Sequence, residues 1–404
     1  MPAPFESMGW VVFHGVVIVS LAALSFTAVL HGLLMPRLRP VKNAGERLPR
    51  VSILVPARNE EANIAACVRS LLAQDYPNFS VHVLDDHSTD QTARIVESLG
   101  LTREKGGLID GAELPEGWVG KNWACHQLSR IADGEYLLFT DADTVHAPES
   151  VSALVHAARE HGVVLLSAWP RQVMKTWSEK LVVSLLPFVG GIFYPHGLLW
   201  VLGRYPQLRS SVPLPLRRLL GAANGQVVLF QRAGYEKIGG HFAVRDHLVE
   251  DIALGRAVAE RMDESFWWLN CDSAGLIRCR MYRSFGEVWE GFSKNSRAAF
   301  ENAHALFWGF GIWQAVVFVI PFLLPVCGRA GWVVYGEIGV LLALRAFLTG
   351  ILGGSWWSVV FHPVAWGLGL AIGFNSWRRS RGLGVRWKGR TYAVRLDFAS
   401  KNLE

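Results

Sequence analysis

Two carboxylates spaced two apart, Asp141 and Asp143, follow the apolar run Tyr136-Leu137-Leu138-Phe139. In an extended segment, positions i and i+2 project to one side. Both acids are therefore expected to leave a buried strand facing a single crevice. Hard oxygen ligands there suit Mg²⁺ or Mn²⁺, which holds few protein carboxylates and completes its shell with water and substrate phosphates. The bland alternative is a solvated loop with two chance acids, and a bare Asp-x-Asp does not decide between them. Other acids stand at comparable places. Residues 51–55 read as a strand closed by Pro56-Ala57-Arg58-Asn59-Glu60-Glu61, and residues 81–84 as a strand ending in Asp85-Asp86-His87-Ser88-Thr89-Asp90. Glu250-Asp251 opens a further helix, where acids also suit the dipole.

The elements that must carry these groups follow from local pattern. Asn59 reads as an N-cap with Glu60 and Glu61 in a first helical turn. A helix is predicted near 91–99, and another begins at Pro148-Glu149, since proline suits the first helical position. Residues 136–139, 163–167 and 227–230 read as further strands, the last after the glycine-rich Gly221-Ala-Ala-Asn224-Gly225-Gln226. Strands alternating with helices predict an α/β sheet whose ligands bind beyond the carboxyl ends of the strands.

The chain has 404 residues, 51% of them hydrophobic and 18% charged, with 17 Trp and 21 Phe. That length suits two structural regions, and that composition is too apolar for an ordinary soluble enzyme. Residues 10–35 form an uncharged apolar run of about 26 residues, long enough to span a bilayer. Only Glu6 is charged before it, so it reads as a retained anchor rather than a cleaved signal. The net charge of +6 fits a membrane surface rather than nucleic acid, because its excess adjoins apolar runs. Arg37, Arg39, Lys42, Arg47 and Arg50 follow the first run; Arg378, Arg379, Arg381, Arg386, Lys388 and Arg390 follow the last. By the positive-inside rule, Arg37 onward is cytoplasmic. Residues 181–202 are apolar but interrupted by Pro187, Gly190-Gly191 and Pro195, and read as broken interfacial helices. Segments 305–326, 331–352 and 356–374 are three more apolar runs. Three crossings would leave the basic tail outside, so one of them is expected to be re-entrant or interfacial, unless the rule fails here. The five cysteines have no paired spacing, which implies neither a disulfide framework nor a zinc knuckle.

Val55-Pro-Ala-Arg-Asn-Glu60, Val83-Leu-Asp-Asp-His-Ser-Thr-Asp90, Asp141-Ala-Asp143 and Glu250-Asp251, in that order, resemble the signature series of glycosyltransferase family 2. The resemblance covers about residues 50–301. Leu114-Pro-Glu-Gly-Trp118-Val-Gly120-Lys121-Asn-Trp123-Ala, Gly291-Phe-Ser-Lys-Asn295 and Val385-Arg-Trp-Lys-Gly-Arg390 are similar to the membrane-anchored bacterial branch near hopanoid- and carotenoid-associated glycosyltransferases. Ceramide glucosyltransferase is a more distant likeness.

The resemblance implies a GT-A fold, a Rossmann-like mixed sheet, using a nucleotide sugar with inversion. It implies that Pro56, Ala57 and Glu60 line the nucleoside pocket and that Asp85 or Asp86 binds uracil or ribose; Ser88 and Asp90 as mere helix caps are the plain alternative. Asp143 would bind Mg²⁺ or Mn²⁺, with Asp141 on the ribose or the metal and its waters. Lys121 would reach the diphosphate, unless it is a solvated loop lysine. Asp251, of the pair Glu250-Asp251, would be the catalytic base. The Gln/Arg-x-x-Arg-Trp motif of processive relatives is missing; Lys294-Asn-Ser-Arg297-Ala stands there, and Lys294 or Arg297 would supply charge near the diphosphate.

The expected organisation is an N-terminal anchor (1–36), a basic linker (37–49), a cytoplasmic GT-A domain (50–303), membrane helices (304–376) and a basic tail (377–404). The expected activity is transfer from a nucleotide sugar, a UDP-sugar by the resemblance, to the hydroxyl of a membrane lipid such as a hopanoid or carotenoid. That places a multi-pass protein in the bacterial inner membrane, with no nucleic-acid partner. Transfer to a polyprenyl phosphate, or an inactive nucleotide-binding scaffold, are the rivals.

Overall fold

The computed structural model describes residues 8–41, 48–101, 106–298, 300, 303–380, 385–388 and 390–392. Glu6, Lys42, Arg47, Arg381 and the tail past 392 lie outside the described residues. In chain order the elements begin with α1 (Met8–Leu34), β1 (Val51–Ala57), α2 (Ile64–Leu72), β2 (Phe79–Asp85), α3 (Thr92–Ser98) and β3 (Gly106–Asp110). They continue with α4 (Gly120–Ile131), β4 (Tyr136–Thr140), β5 (Thr144–His146), α5 (Ser150–Glu160), β6 (Leu165–Trp169) and β7 (Arg171–Gln172). After a π-helical turn (Glu179–Val183) come α6 (Leu185–Phe193), α7 (His196–Arg204), α8 (Leu214–Leu220), β8 (Val227–Gln231), α9 (Arg232–Lys237) and α10 (Gly240–Ala243). Then follow α11 (Glu250–Glu260), β9 (Trp268–Asp272), β10 (Ile277–Cys279), α12 (Phe285–Ala298), α13 (His304–Phe318) and α14 (Ile320–Val326). The chain closes with α15 (Trp332–Leu352), α16 (Trp357–Val360), α17 (His362–Ser380) and the hairpin β11 (Val385–Trp387) and β12 (Arg390–Tyr392).

Contacts divide the chain into two compact units. One comprises Met35–Val173 and Leu198–Met281; the other comprises Met1–Leu34, Met174–Gly197 and Tyr282–Glu404.

The first unit is built on a seven-stranded sheet in the order β3-β2-β1-β4-β8-β6-β9, with a small second sheet β5-β10-β7. Strands β3, β2, β1 and β4 run parallel, whereas β8 is antiparallel to both β4 and β6. Such a central sheet is buried on both faces, which explains the continuous apolar runs: Ile53, Leu54, Val55, Leu137, Leu138 and Phe230 are fully buried. Register sets the functional edge. Ala57 pairs with Asp85 and Leu54 with Phe139, so the loops after β1, β2 and β4 leave at one end. Because β8 is reversed, with Val227 against Thr140, Gly225 and Gln226 enter the sheet at that same end.

Three expectations change here. Asn59 does not cap a helix; α2 starts only at Ile64 after Asn63. Asn59 takes a left-handed backbone, φ 52°, which asparagine tolerates. Its side-chain Oδ1 accepts from Thr89 N at 2.8 Å and its own N–H donates to Ser88 Oγ at 2.9 Å, knotting the β1 and β2 loops together. Glu60 and Glu61 likewise serve that knot: Glu60 N donates to Thr92 Oγ1 at 2.7 Å and Glu61 Oε2 accepts from Gln91 N at 3.1 Å. Second, Asp141 and Asp143 are not in extended chain. Strand β4 stops at Thr140, and Thr144 N donates to Asp141 O at 3.2 Å, so a tight turn carries the pair. Third, residues 37–38 are not simple linker. Leu38 N donates to Asp272 O at 2.9 Å, bridging the edge of β9.

The second unit is helical. Its core joins Val17, Leu21, Leu24 and Ala28 of α1 with Phe188 and Ile192 of α6, Phe318 of α13, Leu341, Leu344 and Leu348 of α15, and Trp366 of α17. Helices α1 and α15 are long and apolar enough to cross a membrane; Glu179–Phe193 with His196–Arg204, and α13 with α14, reach that length only as bent pairs. The stretch expected to be interfacial within the catalytic segment is thus grouped, through Gly197, with the terminal helices. The third C-terminal run breaks at Phe361, and α17 continues through Asn375 to Arg378 and Arg379, too polar for an unbroken span. Val12, Val19, Phe26 and Leu33 form a heptad-spaced stripe on α1 that is 56–74% exposed. An apolar stripe of that length marks a surface meant for lipid or another protein.

Candidate active site

Lys121 ties the acidic motifs together. It sits in the first turn of α4, where a cation opposes the helix dipole, and two acids compensate. Its Nζ lies 2.7 Å from Asp141 Oδ1 and 2.8 Å from Glu250 Oε1. Burial alone would lower its pKa, but Asp141 and Glu250 outweigh burial and hold it well above the ordinary lysine range. The next residue fixes the helix start: Asn122 Nδ2 donates to Val244 O at 2.7 Å and His247 O at 2.9 Å, joining α4 to the segment that leads into α11. Pro56, Lys121, Thr140, Asp141, Glu250 and Asp251 line one cavity. The structure therefore brings together four motifs scattered over nearly half the sequence.

Asp251 opens α11 and is held by two amides. Its Oδ2 accepts from Gly225 N at 2.7 Å and its Oδ1 from Ile252 N at 2.8 Å. Burial, followed by the neighbouring Glu250 carboxylate, pushes its pKa up to about 6, against the opposing effect of Lys121 and the amides. A carboxylate titrating near there suits proton abstraction around neutral pH. Glycine suits this contact, since a Cβ at residue 225 would stand 3.0 Å from both Asp251 Cβ and Oδ2 and press on the carboxylate.

Asp143 is positioned from β10. Cys279 Sγ lies 3.3 Å from Asp143 Oδ1 and accepts from Gln226 Nε2 at 2.9 Å; Gln226 Oε1 accepts from Gln172 Nε2 at 2.8 Å. Gln226 also receives Asp141 N on its backbone oxygen at 3.0 Å. Burial, then Asp143 and Asp141, push the Cys279 thiol well above its usual range, so it stays a thiol and donates. Sequence reading missed Cys279 and Gln226, because neither residue type signals a role and their partners are remote in sequence. Among the described residues no group of three or more His, Cys, Asp or Glu is arranged to hold a metal. Two carboxylates fit a hard cation that takes its other oxygens from water and phosphate.

Of the residues expected to hold a nucleoside, Pro56 and Ala57 end β1, and Ala57 O accepts from Asp86 N at 2.8 Å. Arg58 donates to the carbonyls of Asp86 and His87, bracing the turn. Glu60 Oε2 accepts from Asn63 Nδ2 at 2.9 Å. Asp85 is 9% exposed; its Oδ2 accepts from Ser88 N at 3.1 Å, while its buried Oδ1 has no hydrogen-bond partner among the described residues. Asp90 does serve α3, accepting from Thr92 N at 2.9 Å. Lys294 and Arg297 lie on α12 in the helical unit. There Arg297 is buried, its N–H on Ser376 Oγ at 2.9 Å and its guanidinium 3.2 Å from His304 Nδ1.

Residues 52–200 match the family model described as Glycosyl transferase family 2. That stretch is a family 2 glycosyltransferase domain. The glycosyltransferase match takes in β1 to β7 and ends before Glu250. Over 362 residues the chain is 26% identical to 4,4'-diaponeurosporenoate glycosyltransferase of Staphylococcus aureus strain USA300, covering 85% of this chain and 88% of that one. The protein of the same name from strain MRSA252 is 27% identical over the same length. A mannosyltransferase from Pyrobaculum calidifontis, solved with GDP-Man and Mn²⁺, aligns with TM-score 0.52 at 17% identity, covering 91% of this chain and 98% of that one. The fold is the GT-A glycosyltransferase fold, a mixed α/β sheet.

Proposed function

We propose that the protein transfers a sugar, with inversion, from a nucleotide-sugar donor, a UDP-sugar, to a hydroxyl of a carotenoid- or hopanoid-like lipid at the cytoplasmic face of a bacterial inner membrane. The observation that carries this is the convergence of Asp251, its pKa raised to about 6, with Lys121, Asp141 and Glu250 at the strand ends. The orphaned Asp85 Oδ1 is a ready acceptor for a base N–H or ribose hydroxyl. Lys121 supplies a point charge for the diphosphate. Asp143, with Asp141, would hold Mg²⁺ or Mn²⁺, which when bound offsets the charge growing on the departing nucleoside diphosphate. Asp251 takes the proton of the acceptor hydroxyl as its oxygen bonds to the anomeric carbon, and the sugar–phosphate bond breaks with its electron pair leaving on the diphosphate.

A second reading rests on the relatives' acceptor, which is by name a carboxylate. A carboxylate acceptor, like a polyprenyl phosphate, arrives deprotonated and needs no base, so Asp251→Asn would leave its transfer nearly unchanged. The experiment for the donor half uses purified full-length protein, a panel of nucleotide sugars, and Mn²⁺ or EDTA. Metal-dependent release of nucleoside diphosphate from one donor is expected. No turnover of any donor in acceptor-containing membranes would leave only a scaffold.

A further inference from the structure

In the helical unit one buried charge has no counter-charge among the described residues. Arg345 on α15 is fully buried, and none of its three guanidinium nitrogens has a hydrogen-bond partner among the described residues. The Phe188 ring, 4.3 Å from the guanidinium carbon, is its cation–π neighbour, but one ring face does not replace five lost hydrogen bonds. Glu337, two turns earlier on α15, is engaged at 2.7 Å by His14 of α1. A buried guanidinium left in this state is strongly unfavourable unless an anion joins it, and an ionisable group within a candidate span usually marks a ligand site.

The surroundings say what kind of anion. One turn beyond Arg345 stands Thr349, and one turn before Phe188 stands Ser184. A Cβ at Gly354 would meet both hydroxyls, at 3.0 Å from Ser184 Oγ and 3.2 Å from Thr349 Oγ1. Ser184 Oγ is in turn 2.8 Å from Ser358 Oγ. Hydroxyls thus gather around Gly354, among them that of Thr349, one helical turn along α15 from Arg345, with Ser184 Oγ also accepting from Ser355 N at 3.0 Å. Trp366 and His362 pack edge-on against that same Phe188, with centroids 5.7 Å and 6.3 Å away. A buried guanidinium beside a wall of rings, on a helix long and apolar enough to span a bilayer, suits the charged head and apolar body of an amphiphile.

We infer that the helical unit binds an amphiphile whose oxyanion, a carboxylate or a phosphate, pairs with Arg345. The planar guanidinium fork matches either oxyanion in bidentate fashion. Since α15 is long and apolar enough to span a bilayer, the ligand reaches the site from the membrane. Binding at Arg345 is read by unfolding alone, without any measurement of transfer.

The test uses full-length protein in an uncharged detergent, with thermal unfolding followed against added oleate, phosphatidylglycerol, oleyl alcohol and diacylglycerol. A saturable rise in Tm is expected with at least one charged lipid and with neither uncharged one. Oleate alone assigns a carboxylate, phosphatidylglycerol alone a lipid phosphate. Arg345→Gln and Arg345→Met are each expected to weaken the effect by at least about tenfold in half-saturating concentration, the loss of a charge-assisted pair. Arg345→Lys should retain part of it. Equal responses to charged and uncharged lipids in the wild type, or an undiminished response in the folded Met variant, would overturn the proposal. If the variants do not fold, the four-lipid comparison on the wild type decides alone.

Discussion

Asp251 carries the sharpest residue-level expectation. Asp251→Asn should leave donor affinity intact while kcat falls by about two to four orders of magnitude, the range for a positioned acid–base group. An equal collapse of donor affinity would make it a nucleotide-site residue. The sign with pH follows from its state. The folded carboxyl is raised to about 6, carries a proton below that pH, and cannot accept another. In the wild type kcat/KM should therefore rise as pH passes upward through about 6, and that limb should vanish in Asp251→Asn. Asp143→Asn should abolish Mn²⁺ binding in a paramagnetic titration without donor present, because an amide is a poorer ligand for a hard cation; unchanged binding would remove Asp143 from the metal. Asp141 and Asp143 stood out in the sequence because they follow an apolar, β-prone run, whereas Asp251 was singled out only by the family resemblance. Their supports were not legible there. Lys121 meets Asp141 and Glu250, and Cys279 meets Asp143, only because the sheet folds distant segments to one edge.

The elements explain why the site assembles and where pattern reading failed. Strands β1, β2, β4 and β8 were readable because central strands are continuously apolar. Strand β3 was not, since Gly106 and Gly107 depress strand character. Gly106 adopts φ 118°, and a Cβ there would lie 1.7 Å from Val81 O, so the geometry of the edge demands glycine. The loop after β1 imitated a helix start because Asn and Glu also suit caps; its actual partners lay in the β2 loop, some 30 residues on by sequence. The turn entering β8 offers a test at this level. Gly225→Ala should press on Asp251 and perturb its amide contact. A drop in kcat of about tenfold, roughly one lost or misaligned hydrogen bond, is expected with donor affinity and Tm little changed. Wild-type kcat in that variant would show that the Gly225–Asp251 contact does not position the base.

The whole molecule joins a GT-A sheet unit to a helical unit with two candidate membrane spans. Hydropathy located α1 and α15 to within a few residues. It failed to foresee that Met174–Gly197 would group with the terminal helices, because compactness depends on contacts that linear boundaries cannot express. The exposed stripe on α1 and the apolar character of α15 support a membrane enzyme, and a lipid acceptor gives that placement a purpose. The most direct measurement supplies labelled UDP-sugars to membranes containing the full chain and partitions the products between organic and aqueous phases. Label is expected to enter the organic phase only with divalent metal present, and to stay out of it with Asp143→Asn. Label that remains wholly aqueous, in polymer or free sugar, would contradict a lipid acceptor.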